Sequence, residues 1–129
     1  MTNILIKTDS HYKVNRKRVR RVIDSFLMEK KVKSAELSIS VVGDRQMKKL
    51  NRQYRNLDET TDILSFPFID NVQGSKFIDA PDGVLRLGDI IISYPQVIDD
   101  ASSEEKLVDD KIDELIIHGL NHLFGLHHD

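Results

Sequence analysis

The histidines near the end of the chain have the spacing of a metal site. Four of the five lie within the last twelve residues. His118 and His122 are four positions apart, so on a helix both imidazoles project from one face and can share a metal ion. Gly125 stands where glycine commonly ends a helix with left-handed backbone. We therefore expect a turn at Gly125 that brings His128 back toward the first two imidazoles.

Three neutral imidazoles around one open position are typical of catalytic zinc. The spacing H-x3-H-x2-G-x2-H also occurs in metzincin proteases, where a glutamate after the first histidine is the general base. Here that position is Gly119, which cannot transfer a proton. The pattern predicts a Zn²⁺ site but disfavours peptide hydrolysis by the protease mechanism. A phosphodiester is the better candidate substrate, because a metal site can promote its hydrolysis without that glutamate.

The composition limits which other kinds of site are possible. The 129 residues include no cysteine, which excludes disulfides, iron–sulfur clusters and thiolate zinc sites. No apolar run approaches the roughly 20 residues of a membrane span, and the N-terminal apolar run is too short for a signal peptide. We expect a single soluble, cytoplasmic domain over residues 1–129, with 40% hydrophobic residues to supply its core.

The charges are unevenly distributed along the chain. Residues 1–57 contain 15 Lys or Arg and 5 Asp or Glu, whereas residues 58–129 contain 4 and 16. A basic half favours a polyanionic partner, although solvated faces would produce the same pattern. The sequence pI of about 6.2 is well below that of a typical nucleic-acid-binding domain.

Strand-like and helix-like patterns alternate along the chain. Alternating apolar residues predict four strands, at Asn3–Thr8, Glu36–Val42, Asp62–Phe68 and Leu87–Tyr94. Helical spacing predicts helices at Val14–Lys31, from an N-cap at Asp44, from Pro95, and at Glu104–Leu123, with residues 69–84 as a loop or irregular hairpin. The predicted fold is α+β: a mixed sheet of about four strands covered by helices, with the zinc-protease-like histidine motif on the last helix.

Three segments resemble the YbeY family of metal-dependent single-strand endoribonucleases and rRNA maturation factors. Asn51–Phe68 is similar to the family stretch N-x-x-Y-R-x-x-[DN]-x-x-T-[DN]-V-L-S-F-P-F. Leu87–Ile92 is similar to L-G-D-I-x-I, and His118–His128 to H-G-x-L-H-L-x-G-Y-D-H. Their order and spacing also fit, so the resemblance covers nearly the whole chain.

The resemblance implies specific roles for four residues. His118, His122 and His128 would be the ligands of one Zn²⁺, with His118 also counted among the catalytic residues. Arg55 would be the family's functional arginine. A guanidinium suits a scissile phosphate, because its paired N–H groups match phosphate oxygens and its charge stabilises the negative charge that develops.

Four other motif residues have supporting roles in this interpretation. Asp62 and Asp89 are candidates for carboxylates that orient a ligating histidine through its second nitrogen. Each is individually more typical of a structural residue, at the start of a strand or in a turn. Ser65 and Phe66 are expected to serve the core and the wall of the cleft.

The chain departs from the family pattern around its last ligand. Asn121 replaces a leucine, and Leu126-His127 replace a tyrosine and an aspartate. Either His127 or His128 could therefore face the metal, and the family spacing favours His128. Family members usually continue beyond this point, whereas this sequence stops at Asp129, and a ligand beside a chain end is prone to fraying.

The resemblance implies a zinc-dependent endoribonuclease that cleaves single-stranded rRNA during maturation of the small ribosomal subunit. Basic residues would form a track for the RNA backbone, namely Lys13–Arg21, Lys48, Lys49 and Arg52. One alternative is a ribosome-associated binding factor with a structural metal site. Another is a different metal-dependent hydrolase, such as an amidase or esterase.

Overall fold

A computed structural model describes residues 2–67 and 83–128, with the backbone alone for residues 126–128. The described strands are β1 (Thr2–Thr8), β2 (Ala35–Val42), β3 (Ile63–Pro67) and β4 (Leu85–Ser93). The described helices are α1 (Arg16–Glu29), α2 (Asp44–Arg55), α3 (Tyr94–Ser103) and α4 (Val108–His128). Most of the predicted loop at 69–84 lies outside the described residues. No described helix is both long and apolar enough to cross a membrane.

The four described strands form one mixed sheet in the order β1-β2-β4-β3. β1, β2 and β4 are parallel, and β3 pairs antiparallel with β4 at the edge. Between Glu36 and Leu37 the register with β4 shifts, and Gly88 adopts φ 139° at this irregularity. The arrangement confirms the predicted α+β class and the sheet of four strands.

The main core lies between one face of the sheet and helices α1 and α4. Its buried side chains come from every second strand position and from the apolar stripes of the two helices. They include Ile4, Ile6, Leu37, Ile39, Ile90, Ile92, Ile23, Leu27, Ile116 and Leu120. The opposite face receives α2. Ser65 contacts His122 on α4, so its strand neighbour Phe66 points the other way, where it meets Tyr54 of α2.

Two ion-pair clusters hold the first turns of α4 in place. Arg18 on α1 donates to Asp113 at 2.9 Å and to Asp110 at 2.5 Å. The buried Lys111 ammonium lies 2.7 Å from Glu114 and 3.0 Å from Glu104. Lys106 and Lys111 lower the pKa of Glu114 to about 2. The helix that carries the histidines is therefore tied to α1 and to the end of α3.

The structure corrects two predicted helix boundaries. Asp44 is the first residue of α2, and Gly43 is the N-cap. The Asp44 carboxylate instead accepts hydrogen bonds from Thr60, Ser93 and Gln96 at 2.8–3.2 Å, which joins α2 to β4 and α3. The last helix begins at Val108 and not at Glu104, because Glu104 caps α3 and Glu105 takes a left-handed φ of 57°.

Two arginines of α1 cover the outer edge of β1. The Arg16 guanidinium donates to the Ile6 carbonyl at 2.8 Å, and Arg20 donates to the Ile4 carbonyl at 3.1 Å. The two arginines are one helical turn apart, and the two carbonyls are two strand positions apart. Exposed strand edges template pairing with other chains. These guanidiniums occupy acceptors that a further strand would use.

We predict that Arg16→Ala combined with Arg20→Ala promotes self-association, because the freed carbonyls can accept from another strand. Loss of the two charged hydrogen bonds should also cost about 1–3 kcal/mol. Sedimentation velocity over a concentration series measures the first effect, and urea unfolding measures the second. Lys17→Ala with Arg21→Ala is the matched control, because it removes equal charge at the same spacing. Equal association by both pairs contradicts the prediction.

Candidate metal centre

The position of α4 is set by an unusually close approach to the sheet at Gly119. A Cβ atom at this position would lie 2.9 Å from the Ile90 Cδ1 atom and 3.2 Å from the Ile63 Cδ1 atom. A glutamate here would have to displace both isoleucines and bury its charge. The absence of the protease base is therefore built into the packing of this helix on β3 and β4.

His118 and His122 emerge from the same side of α4, and both are exposed. His122 is held by the sheet, because its Nδ1 atom is hydrogen-bonded to the Ser65 hydroxyl on β3 at 2.5 Å. Because this contact uses Nδ1, the described hydrogen bonds of His122 do not involve its Nε2 atom. When Nδ1 carries the proton, Nε2 is the unprotonated nitrogen that a metal requires.

The predicted turn at Gly125 is wrong for this structure, because α4 continues through it to His128. Gly83 and Gly88 are the glycines with positive φ among the described residues. Two contacts hold the helix here: Leu123 is fully buried, and the Phe124 ring packs edge-on against Phe26 at 5.9 Å. Glycine weakens a helix by about 1 kcal/mol but does not force it to end.

The third predicted ligand is consequently not brought to the pair. Ten residues of α-helix rise about 15 Å, which separates the backbone of His128 from that of His118 along the helix axis. Among the described residues, no group of three metal-ligating side chains lies close together. The side chains of His127 and His128 are outside the described part of the chain, so which of the two is a ligand stays a prediction.

Arg55 is the last residue of α2, immediately before the left-handed Asn56 that caps the helix. Its side chain is exposed, and it forms no ion pair with the residues that the structure describes. The neighbouring Tyr54 ring lies 4.9 Å from the Phe66 ring. Tyr54, which precedes Arg55, and His122 thus both contact β3, through Phe66 on one face and through Ser65 on the other.

The two aspartates of the motif lie away from the imidazole nitrogens. Asp89 is the cross-strand neighbour of Phe66 and Ser38, on the face opposite the histidines. The carboxyl of Asp62 lies beside that of Asp100 on α3. Burial and this contact with Asp62 raise the pKa of Asp100. Neither aspartate contacts His118 or His122 in the described hydrogen bonds, so the orienting role predicted for them falls to Ser65.

The predicted basic track divides between the two faces of the sheet. On α1, Arg16, Arg18 and Arg20 are engaged in hydrogen bonds within the protein. On α2, four exposed cations follow one side of the helix at intervals of three, four and three residues. They are Arg45, Lys48, Arg52 and Arg55. The row on α2 is therefore an exposed basic surface on the face of the sheet opposite α4.

A family model described as Endoribonuclease YbeY matches residues 3–129 of the chain. The chain belongs to the YbeY family. An Endoribonuclease YbeY of Thermodesulfovibrio yellowstonii is 35% identical over 123 residues, covering 87% of this chain and 72% of the relative. One from Bartonella quintana is 33% identical over 118 residues, covering 92% of this chain and 70% of the relative.

Another Endoribonuclease YbeY, from Dehalococcoides mccartyi, is 39% identical over 100 residues, which cover 74% of this chain but only 58% of the relative. The chain thus spans between 58% and 72% of the length of these YbeY relatives. The solution structure of TM1509 from Thermotoga maritima superposes with a TM-score of 0.61 at 22% identity. It covers all of this chain and 75% of that protein, which supports the same fold.

Ser65 is the residue whose role the YbeY motif alone did not reveal. Its neighbour Leu64 is buried and faces α2, so a polar residue next to it points to the α4 side. The alternation within β3 was readable from the sequence. The sequence could not predict that His122, four turns into a distant helix, lies next to Ser65, because this contact depends on tertiary packing.

We predict that Gly119→Glu destabilises the fold by at least about 3 kcal/mol, because it forces a charged side chain against Ile90 and Ile63. Gly125→Glu is the matched control, since a Cβ atom there meets nothing within 4 Å. Urea unfolding monitored by circular dichroism compares the two. Equal stability of both variants contradicts the close approach.

We predict that Ser65→Ala weakens zinc binding about 10- to 100-fold while the fold is retained, because the residue that orients His122 is lost. Competition with a chromogenic chelator measures the affinity. Ser40→Ala on β2 serves as the control for removing a strand hydroxyl. Unchanged affinity in Ser65→Ala excludes an orienting role for the hydroxyl.

Proposed function

We propose that this YbeY-family protein is a zinc-dependent endoribonuclease that cleaves single-stranded RNA in rRNA processing and ribosome maturation. The rRNA of the small ribosomal subunit is the proposed substrate. The names of its relatives support endonuclease activity on RNA. The observation that carries the proposal is the exposed His118–His122 pair, with Nδ1 of His122 held by Ser65.

The donors present fit zinc. Two imidazoles at positions i and i+4 match a zinc-binding helix, and the chain has no thiolate to compete. We propose His118, His122 and His128 as the three ligands. When bound, the ion would supply Lewis acidity toward a phosphate oxygen.

The third ligand requires a change at the end of α4. If the helix ends at Gly125 when metal binds, the following residues can fold back toward His118 and His122. Gly125 is suited to this change, since it is exposed and has no neighbour that a Cβ atom would touch. Breaking one turn after a glycine is also the least costly place to end this helix.

The residues around the pair have separate tasks in this proposal. Arg55 would donate its paired N–H groups to the scissile phosphate and balance the charge that develops on it. Ser65 holds the His122 ring in one orientation. Gly119 allows the helix to pack closely against the sheet. It also places a residue that cannot transfer a proton at the position of the protease base. This makes a peptide a poor substrate by that route.

We predict that zinc-loaded protein cuts a labelled single-stranded RNA and that Arg55→Ala lowers the rate about 100- to 1,000-fold, the cost of losing a charge-stabilising group. His122→Ala should abolish zinc binding and cleavage together. Lys7→Ala is the matched control, since it removes one exposed cation from the opposite edge of the sheet. Gel electrophoresis of the RNA measures cleavage, and circular dichroism checks the fold.

Three outcomes count against the proposal in different ways. Equal cleavage by all variants would identify a contaminating nuclease. Zinc binding without cleavage, combined with unfolding of His122→Ala, would favour a binding factor with a structural metal site. Hydrolysis of small esters in preference to RNA would favour another class of metal-dependent hydrolase.

A further inference from the structure

Tyr54 is an exposed aromatic residue on a helix face that is otherwise buried. It lies one helical turn beyond Asn51 and two turns beyond Met47, and both of those side chains are fully buried against the sheet. Tyr54 nevertheless keeps 60% of its surface exposed. Because the ring contacts Phe66, it is partly packed and partly open to solvent.

The ring is held by a second aromatic residue. Tyr54 and Phe66 have ring centroids 4.9 Å apart, with planes tilted by 49°. Phe66 belongs to β3, which pairs with β4 along its length. An exposed ring fixed in this way loses little conformational freedom when a ligand stacks on its open side.

A row of exposed cations runs along another side of the same helix and ends at Arg55, the residue after Tyr54. Arg45, Lys48, Arg52 and Arg55 line one side of α2 over about 15 Å. The single acidic residue of the helix is Asp44, whose carboxylate is already occupied by three hydrogen-bond donors. Within the described part of the chain, Arg52 forms an ion pair with Asp58 at 3.8 Å that is exposed and therefore weak. Exposed cations together with an exposed, fixed aromatic ring are typical of sites for single-stranded nucleic acid.

Tyr54 and the histidine pair are both attached to the edge strand β3. Ser65, which holds His122, and Phe66, which holds Tyr54, are consecutive residues whose side chains leave opposite faces of the strand. Consecutive strand residues are about 3.3 Å apart. A flexible single strand that follows α2 and passes over this edge can therefore reach both features, whereas a stiff duplex cannot turn so sharply.

We propose that Tyr54 is a base-stacking residue that makes the site selective for unpaired RNA, with a base of the bound strand lying on its open face. The proposal rests on the endoribonuclease function proposed above and assigns a specificity-determining residue to it. In a duplex both faces of each base are already stacked, so only an unpaired base can use the ring. The phosphate next to that base would face Arg55, the neighbour of Tyr54 in the chain.

The test measures binding separately from cleavage. Single-stranded RNA carrying 2-aminopurine is titrated with the protein in the presence of a chelator, which prevents cutting. Fluorescence anisotropy reports the Kd, and quenching of 2-aminopurine reports stacking. Tyr54→Leu keeps apolar contact with Phe66 but removes the aromatic face, whereas Tyr54→Phe keeps it. Leu107→Ala is the control for losing an exposed apolar side chain, since Leu107 is 70% exposed.

We expect Tyr54→Leu to weaken binding about 5- to 100-fold, the range that base–aromatic stacking supplies, and to abolish quenching. Tyr54→Phe and Leu107→Ala should bind as the unsubstituted protein does. An RNA with one abasic position should bind the unsubstituted protein more weakly and should lose its sensitivity to Tyr54→Leu.

Two results would overturn the proposal. One is equal Kd values for Tyr54→Leu and the unsubstituted protein on intact RNA. The other is absence of quenching at every 2-aminopurine position in the unsubstituted protein, which needs no variant to fold. Zinc-loaded protein that cleaves RNA with either result keeps its proposed function and loses this residue assignment. Quenching that depends on Tyr54 in a protein that does not cleave RNA keeps this residue assignment and contradicts the proposed endoribonuclease function.

Discussion

The close contact between α4 and the sheet at Gly119 is the constraint on which the site depends. Because no Cβ atom separates the helix from Ile90 and Ile63, α4 lies near enough to β3 for Ser65 to reach His122. The same contact excludes a glutamate after His118. One packing requirement thus fixes the orientation of an imidazole proposed to bind the metal and leaves no room for the base of a protease.

The edge strand β3 connects the two halves of the proposed chemistry. Its pleat sends Ser65 toward α4 and Phe66 toward α2, so the histidine pair and the basic helix are attached to neighbouring residues. Antiparallel pairing with β4 fixes this strand in register. The uneven charge of the chain does not follow this division, because α1 packs on the same face as α4 and contains as many Lys and Arg residues as α2. The acidic half contains α4, whose acids bind Arg18 and Lys111, and the basic half contains α2.

The sequence predicted the elements better than their ends and contacts. Period-two and helical patterns located four strands and the helices, because they depend on burial of one face. The turn predicted at Gly125 was wrong, because a glycine permits a helix to end but does not require it. Here Leu123 and Phe124 pack in the core, and α4 continues. Arg16 and Arg20 were predicted to belong to the basic track for the RNA backbone, but they donate hydrogen bonds to carbonyls of β1. Ser65 and Tyr54 could not be assigned, because their roles depend on residues from distant segments.

The most direct test of this account is which nitrogen of the His122 ring binds zinc, observed in long-range ¹H–¹⁵N spectra of metal-free and zinc-titrated protein. The account predicts that Nδ1 of His122 stays on Ser65 and that zinc shifts the Nε2 resonance of His122 together with the imidazole resonances of His118. Zinc binding through Nδ1 of His122, or a shift of His118 alone, would contradict the proposed centre.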